Sequence, residues 1–298
     1  MLRAILFALA LAPTTLIAIP AFSNSAVGWA AYQRGDYKTA HREFLKAAKQ
    51  GDTAVQYNLG WMYYSGEGVQ NDYTEAARWY RKAADQGDAE AQYNLGVMHR
   101  DGEGVSKNDV EAVRWFRKSA RQGFADARHN LGVMYYNGKG VQKDYAEAAR
   151  WFRKAAEQGD EEAQHNLGVM YGKGKGVQKD DVESARWYRK AAEQGLARAQ
   201  NNLGLMYRHG KGVQRSYAEA ARWYRKAAEQ GSAEAKNNLG VMYQNLQKNY
   251  TKATRWFRKA AEQGYAKAQH NLGFMYANGR GVPRDYVEAV RWFRQAAE

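Results

Sequence analysis

The residues of this chain whose types could do chemistry are its histidines and its recurring Gly-Lys-Gly triplets. His129 and His165 each open a His-Asn-Leu-Gly tetrapeptide, 36 residues apart. Imidazoles are common ligands of transition metals. If each sits on its own helix, however, neighbouring axes lie about 8–10 Å apart, which disfavours a shared metal. Gly174-Lys175-Gly176 has the glycines and lysine of a phosphate loop. It lacks the Gly-Lys-Ser/Thr ending and the preceding strand, so it reads as a turn between helices. The chain has no cysteine, which excludes disulfides and a cysteine-borne lipid anchor. No nucleophile, base and orienting group converge, so the residues point away from an enzyme and require no cofactor or metal.

What must position any functional residue is a repeat. Leu59-Gly60 returns as Leu95-Gly96, Leu131-Gly132, Leu167-Gly168, Leu203-Gly204 and Leu239-Gly240 at a constant step of 36, and Leu272-Gly273 follows after 33. Tandem units of this length are supersecondary blocks that stack on one another, so function belongs on a surface rather than in an enclosed cavity. In the type unit, 52–87, Asp52 to Ser65 reads as helix A and Asp72 to Gln86 as helix B. Gly66 suits the left-handed position that ends a helix, Asp72 with Glu75 has the spacing of a capping box, and Gly87 stops helix B. On a helical wheel Ala76, Trp79, Tyr80, Ala83 and Ala84 share one side and Arg78, Arg81, Lys82 and Asp85 the other, which makes the aromatic pair core. Val55, Leu59 and Met62 form the matching stripe of helix A, and the recurring Asn58 suggests a partly buried amide bonded to neighbouring backbone. Gly60 costs roughly 1 kcal/mol relative to alanine inside a helix. Its recurrence implies a close approach of the facing helix.

Composition agrees. Hydrophobic residues make up 45% and only three prolines occur in 298 residues, enough apolar surface for one elongated folded domain and too little punctuation for a disordered chain. Arg3, the apolar runs Ala4 to Ala12 and Leu16 to Ile19, and Ala21-Phe22-Ser23 form an export signal over 1–23. A retained membrane anchor is the alternative, weakened by Pro13, Thr14 and Thr15. The mature chain is expected in a periplasm or outside the cell. The net charge of +14, reduced by Arg3 to +13, favours acidic proteins, anionic glycans or a lipid surface as partners, and disfavours nucleic acid in an exported protein.

Leu-Gly, an aromatic three residues on, Gly-x-Gly-Val, Ala-x-x-Trp-Tyr/Phe-x-Lys-Ala-Ala and a closing Gly together resemble the Sel-one-like repeat (SLR) family, relatives of tetratricopeptide repeats. The resemblance covers 52–87, 88–123, 124–159, 160–195, 196–231, 232–264 and 265–298, preceded by a capping pair over 24–51. It implies an all-α, right-handed α/α superhelix acting as a scaffold or adaptor that holds a protein partner in its concave groove. Bacterial members are often exported and tied to the envelope. Two departures stand out: the repeat at 232–264 lacks the Gly-x-Gly-Val loop, and Glu298 falls inside the last helix B, leaving a final face open to another molecule.

By the same resemblance the groove is lined by the helix A positions of Ala54, Tyr57, Trp61 and Tyr64. Read along the chain they give Tyr57, Trp61, Tyr64, Tyr93, Arg100, His129, Tyr136, His165, Arg208, His270 and Phe274 among more polar neighbours. Tyr57, Trp61, Tyr64, Tyr93 and Arg100 are the strongest binding candidates, being of the types enriched at hot spots. The competing reading is a solvated surface. The basic stripe of helix B is read as self-neutralising, with an anionic envelope glycan as its alternative ligand. β-Lactamase activity, assigned to cysteine-rich relatives, is the enzymatic rival; it depends there on disulfides that this chain lacks.

Overall fold

Short polar residues start most of the helices, with Phe124, Leu196 and Tyr265 at the start of three others, and a left-handed glycine ends the first helix of most pairs. The computed structural model describes residues 23–298, and the export signal expected over 1–23 lies outside the described residues save for Ser23, which opens the first helix. Sixteen helices follow, with no strand among the described residues. Where the sequence suggests one elongated domain, the packing resolves into two compact units. The first holds α1 (Ser23–Gln33), α2 (Tyr37–Lys49), α3 (Thr53–Ser65), α4 (Tyr73–Asp85), the start of α5 (Ala89–Asp101) and the loop Glu103–Val105. The second holds the rest of α5, from Gln92, then α6 (Asp109–Arg121), α7 (Ala125–Asn137), α8 (Tyr145–Glu157), α9 (Glu161–Lys173) and α10 (Asp181–Glu193). It continues with α11 (Ala197–His209), α12 (Tyr217–Glu229), α13 (Ala233–Asn245), α14 (Tyr250–Ala261), α15 (Ala266–Asn278) and α16 (Tyr286–Ala297). Among the described residues no helix is long and apolar enough to cross a membrane.

The caps explain the register. Asp72 accepts from the N–H groups of Thr74 and Glu75 at 2.9 and 3.0 Å, and Asp144 and Asp180 do the same for α8 and α10. The return half of the expected capping box does not form. The Asp72 N–H donates instead to the Tyr63 carbonyl at 2.9 Å, and Glu75 is drawn to Arg78 at 3.2 Å. Gly66 closes α3 at φ +81° with its N–H on the Met62 carbonyl. In the repeat that lacks the glycine loop, α13 ends on Leu246 in right-handed conformation, and Lys248 takes φ +51° to make the shorter turn.

The apolar rows close as the wheel requires. Trp79, Tyr80, Ala76, Ala83 and Ala84 are buried in the first unit, as are Val55, Leu59 and Met62. Every Leu-Gly glycine faces a ring of its partner helix: a Cβ on Gly60 would stand 2.6 Å from Tyr80 Cδ1.

A polar clamp between repeats escapes the sequence reading. Gln164 donates to the Ala156 carbonyl, in the last turn of α8, at 3.0 Å, and its Oε1 accepts from Gln194 at 2.9 Å. Gln194 reaches on to the Gly159 carbonyl. Helix ends leave carbonyls short of intrahelical partners; the Gly159 N–H meets the Ala156 carbonyl, and Gln164 adds a second donor there. In α7 the clamp position is Arg128, which donates to Ala120 O and to Gln158 Oε1, the latter at 2.7 Å. Gln164→Leu removes the bond to Gln194 and one of the bonds to the Ala156 carbonyl, which keeps the Gly159 N–H, and each such hydrogen bond contributes about 0.5–1.5 kcal/mol net. The urea midpoint is expected to fall with an unchanged m-value; an unaltered midpoint refutes the clamp.

Candidate protein-binding surface

The helix A row proposed for binding is built from residues that also tie one repeat to the next. In the second unit the position of His165 touches the asparagine one place further on in the following repeat. His165 Nε2 contacts Asn202 Nδ2 at 3.1 Å, Asn238 Nδ2 donates to Asn201 Oδ1 at 2.9 Å, and Asn271 Nδ2 donates to Asn237 Oδ1 at 2.9 Å. Burial holds the His165 imidazole below its ordinary range, so the neutral ring accepts at Nε2. The asparagines therefore divide their roles. Asn58 and Asn130 bond backbone as the sequence implies, to Ala54 O and Asp126 O one turn back, whereas the later ones bond side chains across repeats.

This ladder sorts the candidates. His165 was expected on an exposed face but is 9% exposed, because the next helix A lies against it. His129 is half-buried and bonds Asp160 at 3.0 Å, the residue that caps α9. Burial opposes ionisation of Asp160, but the bond and charge of His129 prevail and hold its carboxyl below the usual range. The two histidines thus serve separate partners, and no group of three ligand-type side chains gathers as a metal site among the described residues.

In the first unit Trp61 and Tyr64 come together, with ring centroids 6.3 Å apart and planes 25° from parallel. Tyr64 also meets Tyr73 edge-on at 5.1 Å and donates to Glu103 at 2.9 Å. Tyr57 leans on the buried Tyr80 at 5.7 Å. All three candidates are half-buried, so they present ring edges and faces from fixed orientations.

In the second unit Tyr93 packs on Phe116 and Phe124, and burial raises its hydroxyl pKa. Arg100 forks onto Asp101 at 2.8 and 2.7 Å and donates to Asn130 at 2.8 Å. Tyr136 accepts from Lys175 at 3.4 Å. Arg208 lies beside Tyr224, whose hydroxyl burial pushes up to about 12 against the opposing pull of that guanidinium. His270 is exposed over Phe293, and Phe274 is 38% exposed beneath Arg280.

The basic stripe of helix B is engaged internally. Arg78, Arg114, Arg150, Arg186, Arg222 and Arg291 each pair with the glutamate three residues earlier. Lys82 and Lys118 lie 4.0 Å over the Trp79 and Trp115 rings. Arg117 and Arg189 donate to the hydroxyls of Tyr135 and Tyr207. Exposed pairs of this kind contribute little stability, about 0–1 kcal/mol each.

Stacked helix pairs with a partly exposed aromatic row define an all-α repeat protein. Seven consecutive segments, 53–88, 89–124, 125–160, 161–196, 197–232, 233–265 and 266–298, match the Sel1 repeat, and the chain belongs to that family. Proteins of this family generally act as protein-interaction scaffolds and are typically non-catalytic. Among solved structures it is similar to c5321, a protective antigen of uropathogenic Escherichia coli strains displaying an SLR fold, with 39% identity over 92% of this chain and a TM-score of 0.86. The chain spans 61% of the length of that structure. A Sel1 repeat protein from Oxalobacter formigenes is 36% identical over 80% of this chain and 99% of its own, with a TM-score of 0.75. No curated protein matches.

Proposed function

We propose that this chain is a bacterial envelope or secreted scaffold that holds a protein partner against the helix A surface of its first unit, acting by recognition rather than catalysis. The observation that carries this is Trp61. At the same place in the later repeats the chain has Val97, Val133, Val169, Leu205, Val241 and Phe274, so the indole is a departure that the stack does not require. It is stacked on Tyr64 and half-buried. A rigid aromatic pair loses little entropy on binding, which is why such groups dominate hot spots. The likeness to a protective antigen adds support to a location outside the cytoplasm, as does the apolar segment before Ser23.

The test is affinity capture from the native envelope with tagged full-length protein, wild type against Trp61→Ala/Tyr64→Ala. Capture of a defined protein is expected from the wild type and at least about tenfold less from the variant, a loss of the size that one hot-spot cluster carries. The far-UV circular dichroism should be the same for both. Equal capture by both proteins would move the site off Trp61 and Tyr64.

A further inference from the structure

A row of cations without ion pairs lies in the interhelical loops of the second unit. On helix B of that unit Arg150 and Arg186 are neutralised by Glu147 and Glu183, and Lys154 and Lys190 rest on tryptophan rings 4.5 Å away. The loops differ. Gly-Lys-Gly-Val-Gln-Lys places Lys139 and Lys143 in one, Lys175 and Lys179 in the next, and Lys211 and Arg215 in the third. Lys175 is half-buried and the other five are exposed, and none of the six forms an ion pair among the described residues. The acids that end two of these loops, Asp144 and Asp180, point their carboxylates at the first amides of α8 and α10.

Successive loops adjoin, so the cations form one edge. Gly176 approaches the backbone of Tyr145 so closely that a Cβ would lie 2.1 Å from its carbonyl oxygen, and Lys175 extends from that loop across the Tyr136 and Tyr145 rings at 5.4 and 5.1 Å. Lys143 stands 5.9 Å over Tyr145, and Arg215 5.8 Å over Tyr217, itself 41% exposed. The local field is positive: His209 is held below the ordinary imidazole range by burial and then by Arg208 and Lys211.

We propose that this loop edge binds a carboxylate-bearing polysaccharide. Each of these three repeats offers two cations for acid groups, and Tyr136, Tyr145 and Tyr217 offer rings onto which the C–H face of a sugar can lie. A folded acidic protein would need an apolar anchor to bury, and this edge supplies only rings already fringed by cations. An extended polyanion needs no anchor, since many weak contacts at a regular step add along the chain. The site is separate from the Trp61 and Tyr64 surface, so either reading can fail without the other.

The experiment uses full-length protein and labelled polygalacturonate, with dextran as the neutral comparison and a single-stranded oligonucleotide as the competing polyanion. Binding is measured by anisotropy across a salt series. Lys139→Gln/Lys143→Gln/Lys211→Gln/Arg215→Gln removes four loop charges. Arg150→Gln/Arg186→Gln/Arg222→Gln/Arg291→Gln removes four from helix B and leaves the same net charge. Wild type should bind polygalacturonate, weakening as salt rises, and ignore dextran. The loop variant should lose about tenfold or more in affinity, as expected for a focused patch, while the helix B variant stays within about threefold. The proposal is overturned if wild type fails to bind polygalacturonate or binds dextran as well. Equal loss in both variants, no loss in the loop variant, or tighter binding of the oligonucleotide overturns it too.

Discussion

Gly132→Leu is expected to lower the melting temperature of the second unit by roughly 6–12 °C, from an overpacking cost of about 3 kcal/mol. Gly132 lies in the middle of α7, where a glycine is less favourable than alanine by roughly 1 kcal/mol, so helix propensity alone predicts stabilisation on substitution. Packing reverses the sign. A Cβ at this place would stand 2.8 Å from both Cδ1 and Cε1 of Phe152, whose ring is buried between α7 and α8. That ring cannot turn away, because Leu167 and Met170 of the next repeat belong to the same closed cluster. A leucine must therefore displace α7 from α8 or force Phe152 out of its rotamer. Scanning calorimetry measures the effect. The double variant Gly132→Ala/Phe152→Leu isolates its cause: if ring contact is responsible, the two changes together cost clearly less than the sum of the singles. Additive losses, or a single Gly132→Leu that melts with wild type, would show that the close approach does not select glycine.

The same row shows what could be read without coordinates. Apolar period, helix starts and stops, and the glycine of closest approach are properties of one helix pair, and each is stated by residue type at a fixed offset. Asp52 to Ser65 as helix A differs from Thr53–Ser65 only by the cap, and Trp79 and Tyr80 are buried where the wheel puts them. What escaped lies between pairs. Gln164 and Gln194 recur at constant places, and that recurrence was a usable sign, but their meeting depends on how far one helix pair is turned against the next. The same turn decides that the row of Tyr93, His129 and His165 runs against the following helix A. A wheel drawn for α9 alone puts His165 on the outside, while the stack buries it on Asn202. Trp61 and Tyr64 of α3 remain half-buried, and Phe274 of α15 is exposed. The capping box failed on competition: the Tyr63 carbonyl reached the Asp72 N–H before Glu75 could, and Arg78 took Glu75.

A second glycine row, Gly140, Gly176 and Gly212, couples the repeats of the second unit, and Gly140→Ala is expected to destabilise that unit far more than alanine at a glycine with open space around it. Gly140 has φ +66°, and a Cβ there would stand 2.1 Å from the carbonyl oxygen of Asp109, 2.3 Å from its carbon and 2.8 Å from the amide nitrogen of Val110. All three are backbone atoms at the start of α6, so nothing can rotate aside. Gly159 provides the control, with φ +101° and nothing within 4 Å of a built Cβ. Gly159→Ala should cost only the strain of a left-handed alanine, about 1–2 kcal/mol. Gly140→Ala carries a similar strain plus the collision, for a total of roughly 3 kcal/mol or more. The difference between the two, measured by urea denaturation, is the contribution of loop contact. Equal losses would mean that the loop after α7 rests loosely on α6. Because that contact joins two repeats rather than building one, its loss acts on the term that makes neighbouring repeats fold together. The Gly140→Ala transition should therefore broaden as well as shift, with a lower apparent m-value, whereas Gly132→Leu weakens one helix pair from within and should shift the transition with less broadening.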